Sequence, residues 1–187
     1  MLNNLESYVK TYNIIDPDTC DLTLSTLNNL EFKTHTFYFE DTKEYKSHDN
    51  EPSTYYATGQ EITHNAIMSY SWNAIKQYVQ ELNMNWFNTW QGYSYPKYNK
   101  YSTGNVMKEH CDHIKDTFDG NRKGIPILTV LGLLNDNYEG GELVLFQDKV
   151  YPLKKGDIII FPSNFLYPHR IDPITSGDRY SFASWVW

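Results

Sequence analysis

The chain has 187 residues, of which 40% are hydrophobic and 16% aromatic, and carries a formal net charge of −7. That length suits one folded domain with a sizeable core, the aromatic content argues against disorder, and the acidity weighs against a nucleic-acid phosphate backbone as the main partner. Two cysteines, Cys20 and Cys111, stand far apart with no CxxC spacing, which excludes a disulfide framework and a thiolate zinc cluster. The N-terminus has neither a basic start nor an apolar run, and no stretch approaches the roughly 18 apolar residues of a membrane span. The expectation is a soluble, intracellular (cytoplasmic) protein with no membrane contact.

Taken in order, residues 1–84 read as helical support with an early strand and a long loop. Asp16-Pro17 is a helix start, with Asp as cap and Pro at the first helical position, and a short helix through Leu22, Leu24 and Leu27 follows. Glu31 to Phe39 is β-prone. Residues 40–60 are polar, hold Pro52 and Gly59, and read as a long loop, with Tyr55 and Tyr56 as a pair that either packs locally or meets a substrate. From His64 to about Leu82, Ile67, Tyr70 or Ser71, Ala74 or Ile75, Tyr78 and Leu82 follow the helical period and predict a helix that buttresses a sheet.

Past Asn85 the chain changes to short aromatic-rich segments, Trp86 to Gln91 and Tyr93 to Tyr101, and then to β-prone runs at Gly124–Leu134, Gly141–Gln147, Lys149–Leu153, Asp157–Phe161 and Arg179–Trp187. Turn signals at Asn135-Asp136-Asn137, Gly140-Gly141, Lys155-Gly156-Asp157 and Ser176-Gly177-Asp178 separate them. Short strands at this spacing indicate a sandwich or barrel over residues 85–187, within a single domain.

The run Val106 to His113 carries the chemistry. Read as a strand, it turns His110 and Asp112 to one face and Cys111 and His113 to the other. One imidazole and one carboxylate then share a face, and a second histidine would complete a two-histidine, one-carboxylate set with open metal positions. On its own the spacing also fits a His and an Asp on a solvated face. His169, in Tyr167-Pro168-His169-Arg170 after the apolar Ile158 to Phe161, is the candidate third ligand; His35, His48 and His64 read as ordinary polar residues. Arg179 opens the last strand on a face shared with Ser181, Ala183 and Trp185. A buried arginine needs an anion, either a ligand carboxylate or a structural partner such as Asp157, Asp172 or Asp178.

Tyr101-x2-Gly104-x5-His110-x-Asp112, Gly140-Gly141-Glu142-Leu143, Lys155-Gly156-Asp157 and His169-x9-Arg179 together resemble the 2-oxoglutarate- and Fe(II)-dependent dioxygenases, in their prolyl 4-hydroxylase-like branch, over about residues 93–187. The resemblance implies a mainly β fold, a double-stranded β-helix or jelly-roll core with N-terminal α-helices. It implies that His110, Asp112 and His169 hold Fe(II), and that Arg179 clamps the distal carboxylate of 2-oxoglutarate. Tyr101 either bonds that cosubstrate or packs in the core, and Ser181 or Thr129 adds a hydroxyl to the clamp. Gly140 and Gly141 serve a tight turn. The reaction implied consumes O2 and 2-oxoglutarate, with ascorbate as reductant, releases succinate and CO2, and hydroxylates a C–H bond, by analogy that of a prolyl residue in a peptide or protein. Two alternatives stay open: a non-catalytic jelly-roll module that binds a metal or small acid, and a nucleic-acid-directed oxygenase of the same superfamily, which the acidic charge disfavours.

Overall fold

The computed structural model describes residues 5–39, 41–83, 91–112, 114–117 and 122–187. A seven-stranded antiparallel sheet runs in the order Lys10–Asn13, Asp157–Pro162, Leu128–Leu133, Arg179–Val186, Lys97–Tyr101, Ser53–Tyr56, Lys33–Thr34. A four-stranded antiparallel sheet runs Lys149–Tyr151, Leu143–Leu145, His169–Ile171, Met107–His110. The two are joined by one apolar cluster, with Tyr101, Ile159 and Phe161 from the larger sheet meeting Met107, Leu143, Leu145 and Ile171 from the smaller. The architecture is the mainly β jelly-roll core with supporting helices that the sequence implies.

Strand alternation sorts the larger sheet's side chains. Ile159 and Phe161 enter the sandwich, while Ile158, Ile160, Val130, Phe182 and Val186 join a second cluster that includes Ile67, Ala74, Ile75 and Tyr78. Those last four lie on the helix His64–Leu82, whose bounds are those its periodicity predicts. Each large apolar side chain buried there contributes about 1.5–3 kcal/mol relative to exposure. The helix Pro17–Leu27 starts as expected, with the Asp16 carboxylate accepting from the Thr19 amide at 3.4 Å and Pro17 in the first turn. No helix among the described residues is long and apolar enough to cross a membrane.

Gly132 sits where its strand crosses Phe182. A Cβ there would be driven into the Phe182 ring, which is fully buried between sheet and helix. Gly132→Ala is expected to destabilise the fold by roughly 1–3 kcal/mol through overpacking, read as a lowered midpoint in urea unfolding.

The N-terminal half departs from its reading in three places. Residues 40–60 are not one long loop: Glu44–Lys46 and Ser53–Tyr56 are strands, the first pairing with Phe37–Phe39 in a hairpin and the second with Lys97–Tyr101. Ser-Thr-Tyr-Tyr is β-prone, but its partners, Lys33–Thr34 and Lys97–Tyr101, are not its neighbours in sequence, so no local signal marks the pairing. The expected strand Glu31 to Phe39 is broken at His35-Thr36 into Lys33–Thr34 and Phe37–Phe39, which join different sheets. Lys10–Asn13, for which no strand was expected, forms the outer strand beside Asp157–Pro162. Of the short aromatic segments, Trp86 to Gln91 lies outside the described residues except for Gln91.

Candidate active site

One cavity of about 260 Å³ opens between the sheets and is bordered by His110, Asp112, His169, Arg179, Ser181 and Tyr101, among others. His110 and His169 are cross-strand partners, one at the end of Met107–His110 and the other at the start of His169–Ile171. Their ring centroids are 4.4 Å apart. The strand ends at His110, and Asp112 follows two residues past it, its side chain turned to the same side as that of His110. Its Oδ1 lies 3.5 Å from His110 Nε2 and 3.8 Å from His169 Nε2. One donor atom from each of the three falls within 4.8 Å of the others. Cys111, expected on the far side, also borders the cavity. His113 and the following residues to 123 lie outside the described side chains.

Backbone carbonyls fix which ring nitrogens are available. His110 Nδ1 lies 2.7 Å from the Lys108 carbonyl and His169 Nδ1 lies 3.2 Å from the Tyr167 carbonyl. A carbonyl can only accept, so both Nδ1 atoms carry a proton, and in each ring Nε2 is the atom turned toward Asp112. Burial, with His110 beside it, pulls the His169 imidazole down to about 4, which keeps it in the neutral, ligating form at neutral pH. Burial alone would lower His110 as well, but its bond to Asp112 and that carboxylate's charge raise it instead. For Asp112, burial would raise the carboxyl, yet His169, His110 and the Thr129 hydroxyl together hold it well below the ordinary carboxylate range.

The outer oxygen of Asp112 has two donors that the sequence did not reveal in this role. Thr129 Oγ1 donates to Oδ2 at 2.6 Å and Trp185 Nε1 donates to it at 2.8 Å. Thr129 and Trp185 are cross-strand partners on the cavity face of the larger sheet, so one rung of the ladder supports the carboxylate. Thr129 is therefore not beside Arg179, where the resemblance put it. The Arg179 end is marked by the Leu133–Ser181 pair, four residues along, about 13 Å away at strand rise. Partners that orient a metal-binding carboxylate are typically worth about 10- to 100-fold in metal affinity. Thr129→Val and Trp185→Phe are each expected to weaken Fe(II) binding by about that factor, measured by titration against a competing chelator.

Arg179 is 3% exposed. Its Nη1 donates to Ser181 Oγ at 2.9 Å, and its guanidinium carbon lies 5.2 Å from the Tyr101 ring centroid and 6.0 Å from that of Tyr138. Tyr101 is its cross-strand partner. Gly141, at φ +68°, makes room: a Cβ there would come within 3.0 Å of Arg179 Cδ. None of the three aspartates weighed as structural partners is bonded to Arg179. Asp157 accepts from Asn13 and from the Lys154 amide, Asp172 pairs with Arg170, and Asp178 pairs with Lys100. Arg179 Nε is buried without a hydrogen-bond partner among the described residues. A buried guanidinium left in that condition is prepared for an anion.

Two imidazole nitrogens and an ionised carboxylate, with space beside them, suit Fe(II) in a site that keeps open positions, and the buried Arg179 guanidinium suits the far carboxylate of a dicarboxylate reaching from the metal. The hairpin Phe37–Phe39 and Glu44–Lys46 walls the cavity with Phe37, Tyr38 and Tyr45, and the Phe37 ring sits 6.2 Å from that of His110. Of the Tyr55-Tyr56 pair, Tyr56 borders the cavity and Tyr55 bonds Glu61 at 2.8 Å.

Comparison with known proteins adds the following. Residues 96–187 match the family model of the 2OG-Fe(II) oxygenase superfamily. A PKHD-type hydroxylase of Idiomarina loihiensis is 35% identical over 91 residues, covering 47% of this chain and 39% of that protein. The chain thus spans well under half the length of the curated relatives it matches. Among solved structures, a prolyl hydroxylase from Trichoplax adhaerens, in complex with a hypoxia inducible factor oxygen degradation domain peptide fragment, superposes with a TM-score of 0.72 at 20% identity, covering 100% of this chain and 86% of that one. A Pseudomonas putida prolyl-4-hydroxylase gives a TM-score of 0.69 at 16% identity, covering 98% and 95%. At these identities the two structures show a shared fold.

Proposed function

We propose that the chain, whose residues 96–187 match the model of the 2OG-Fe(II) oxygenase superfamily, is a 2-oxoglutarate-dependent non-haem iron dioxygenase that hydroxylates a C–H bond of its substrate. The observation that carries the reading is the convergence, on one cavity, of the His110, Asp112 and His169 donor atoms with the buried Arg179, which has no carboxylate partner among the described residues. A prolyl residue in a peptide or protein is the substrate favoured by analogy: the Trichoplax neighbour holds a peptide fragment, and its fold is the one shared here.

In this proposal His110, Asp112 and His169 hold Fe(II), and Arg179, with Ser181 and the Tyr101 ring beside it, receives the distal carboxylate of 2-oxoglutarate. Bound together, iron and 2-oxoglutarate supply an oxidant from O2, with succinate and CO2 released and hydroxyl transferred to the substrate. The chain's own part is positional. Thr129 and Trp185 fix the Asp112 carboxylate, the Lys108 and Tyr167 carbonyls fix the two imidazoles, and Ser181 holds the Arg179 fork. Leu131, Met107 and the aromatic residues of the hairpin keep the cavity wall apolar and limit water at the reacting centre.

Incubation of the purified protein with Fe(II), ascorbate and 2-oxoglutarate tests the reading. Succinate is expected to form, slowly without substrate and faster with it, and ascorbate is expected to sustain turnover by keeping the iron reduced. Absence of both succinate and iron affinity would leave the non-catalytic binding module as the better account.

A further inference from the structure

The cavity holds a second buried cation that the proposed reaction does not use. Lys97, Asn99 and Tyr101 occupy the cavity-facing positions of the strand Lys97–Tyr101, while Tyr98 packs toward the helices. Tyr101 is paired with Arg179 and Lys97 with Ala183, so the two cations stand four residues apart on this sheet, about 13 Å along the strands. Lys97 is at the end where Trp185 supports Asp112, and Arg179 is at the other.

Lys97 is 7% exposed. Among the described residues no carboxylate lies within ion-pair distance of it. Its Nζ is 3.2 Å from His35 Nδ1, a ring that burial and the nearby Lys97 charge hold down at about 3, so the neutral imidazole accepts one of the three ammonium protons. The Tyr56 ring lies 6.0 Å away. Of the buried carboxyl groups whose charge it feels, Asp112 is committed to the histidine cluster. Among the described residues Glu51 has no hydrogen-bond partner on either oxygen, and burial raises it to about 7, which makes it a poor counter-ion. Beside Lys97, the cavity-facing Asn99 is buried and its Oδ1 also has no partner among the described residues. An ammonium desolvated to this degree, with two protons uncommitted, is costly unless an anion completes it.

The cosubstrate does not fill this place. In the dioxygenase reading, on which the present inference rests, one carboxylate of 2-oxoglutarate goes to Arg179 and the other to the metal. We propose that Lys97 determines specificity by receiving a carboxylate of the substrate that is oxidised, anchored by His35, so that the enzyme acts on a molecule or chain end presenting a free carboxylate. An internal prolyl residue offers no such group at the reacting position.

Calorimetry on the protein loaded with Zn(II) and 2-oxoglutarate, which binds without turning over, tests the proposal. The probes are matched pairs, the N-acetyl derivatives of the twenty amino acids and their carboxamides, which differ only in the terminal charge. At least one acid is expected to bind, and to bind at least tenfold more tightly than its amide. Lys97→Met should erase that preference and Lys97→Arg should keep it, with 2-oxoglutarate affinity unchanged in both. Equal binding of acids and amides, or binding of none of the acids, would overturn the proposal on the wild-type protein alone. A preference surviving in Lys97→Met, or loss of 2-oxoglutarate affinity in that variant, would also overturn it. Failure to load with Zn(II) and 2-oxoglutarate at the first step would instead count against the dioxygenase reading itself.

Discussion

Asp112→Ala is expected to abolish Fe(II) binding. The carboxylate is the one anionic donor of the cluster, and its Oδ1 sits between the two Nε2 atoms at 3.5 and 3.8 Å. Without it, two neutral imidazoles face a dication, and the Thr129 hydroxyl and Trp185 indole lose their common acceptor inside the protein. The loss should exceed the roughly 100-fold upper range for residues that only orient a ligand. His113→Ala, in the same sequence run, should leave Fe(II) affinity near that of the wild type, because three donors converge without it. Competition titration with a chelator reads both, and comparable metal loss in the two variants would contradict the ligand set.

The second large effect is expected at Arg179. Hydrogen bonds to a charged group contribute about 1.5–3 kcal/mol each, so removing the fork should raise the requirement for 2-oxoglutarate by roughly 10- to 100-fold or more. The residue is too far along the strand to touch the cluster, since Ser181 and Ala183 stand between its level and that of Trp185, which bonds Asp112. Arg179→Ala should therefore leave Fe(II) affinity little changed. Steady-state kinetics of 2-oxoglutarate consumption, set beside the metal titration, separates the two. An unaltered 2-oxoglutarate dependence would return Arg179 to a structural role.

Much of the core could be read from local pattern. The period-two alternation of Arg179 to Val186 sorted Arg179, Ser181, Ala183 and Trp185 onto the face that borders the cavity and Phe182 and Val186 onto the helix side. The helix His64–Leu82 was legible because its buried positions repeat at the helical period. His110, Asp112, His169 and Arg179 were singled out by type and spacing, and all four border one cavity.

What stayed hidden depends on pairing between distant strands. Thr129 reads as one more β-branched residue until the ladder sets it opposite Trp185, under Asp112. His35 reads as an ordinary polar residue until Lys97 is placed 3.2 Å from it, 62 positions away in the chain. Tyr138 gave no signal either, because its contact with Arg179 follows from the glycine turn at Gly140 and Gly141 rather than from a motif. Ser53–Tyr56 was lost in a polar stretch for the same reason: a short strand is stabilised by its neighbour, here Lys97–Tyr101, more than by its own composition.

The most direct measurement is a crystal structure of the protein with Fe(II) and 2-oxoglutarate under exclusion of oxygen, with the metal located by its anomalous signal. The expected result is iron bonded to His110 Nε2, Asp112 and His169 Nε2, with continuous density running from it to the Arg179 guanidinium. Iron bound elsewhere, or 2-oxoglutarate density that does not reach Arg179, would contradict the site.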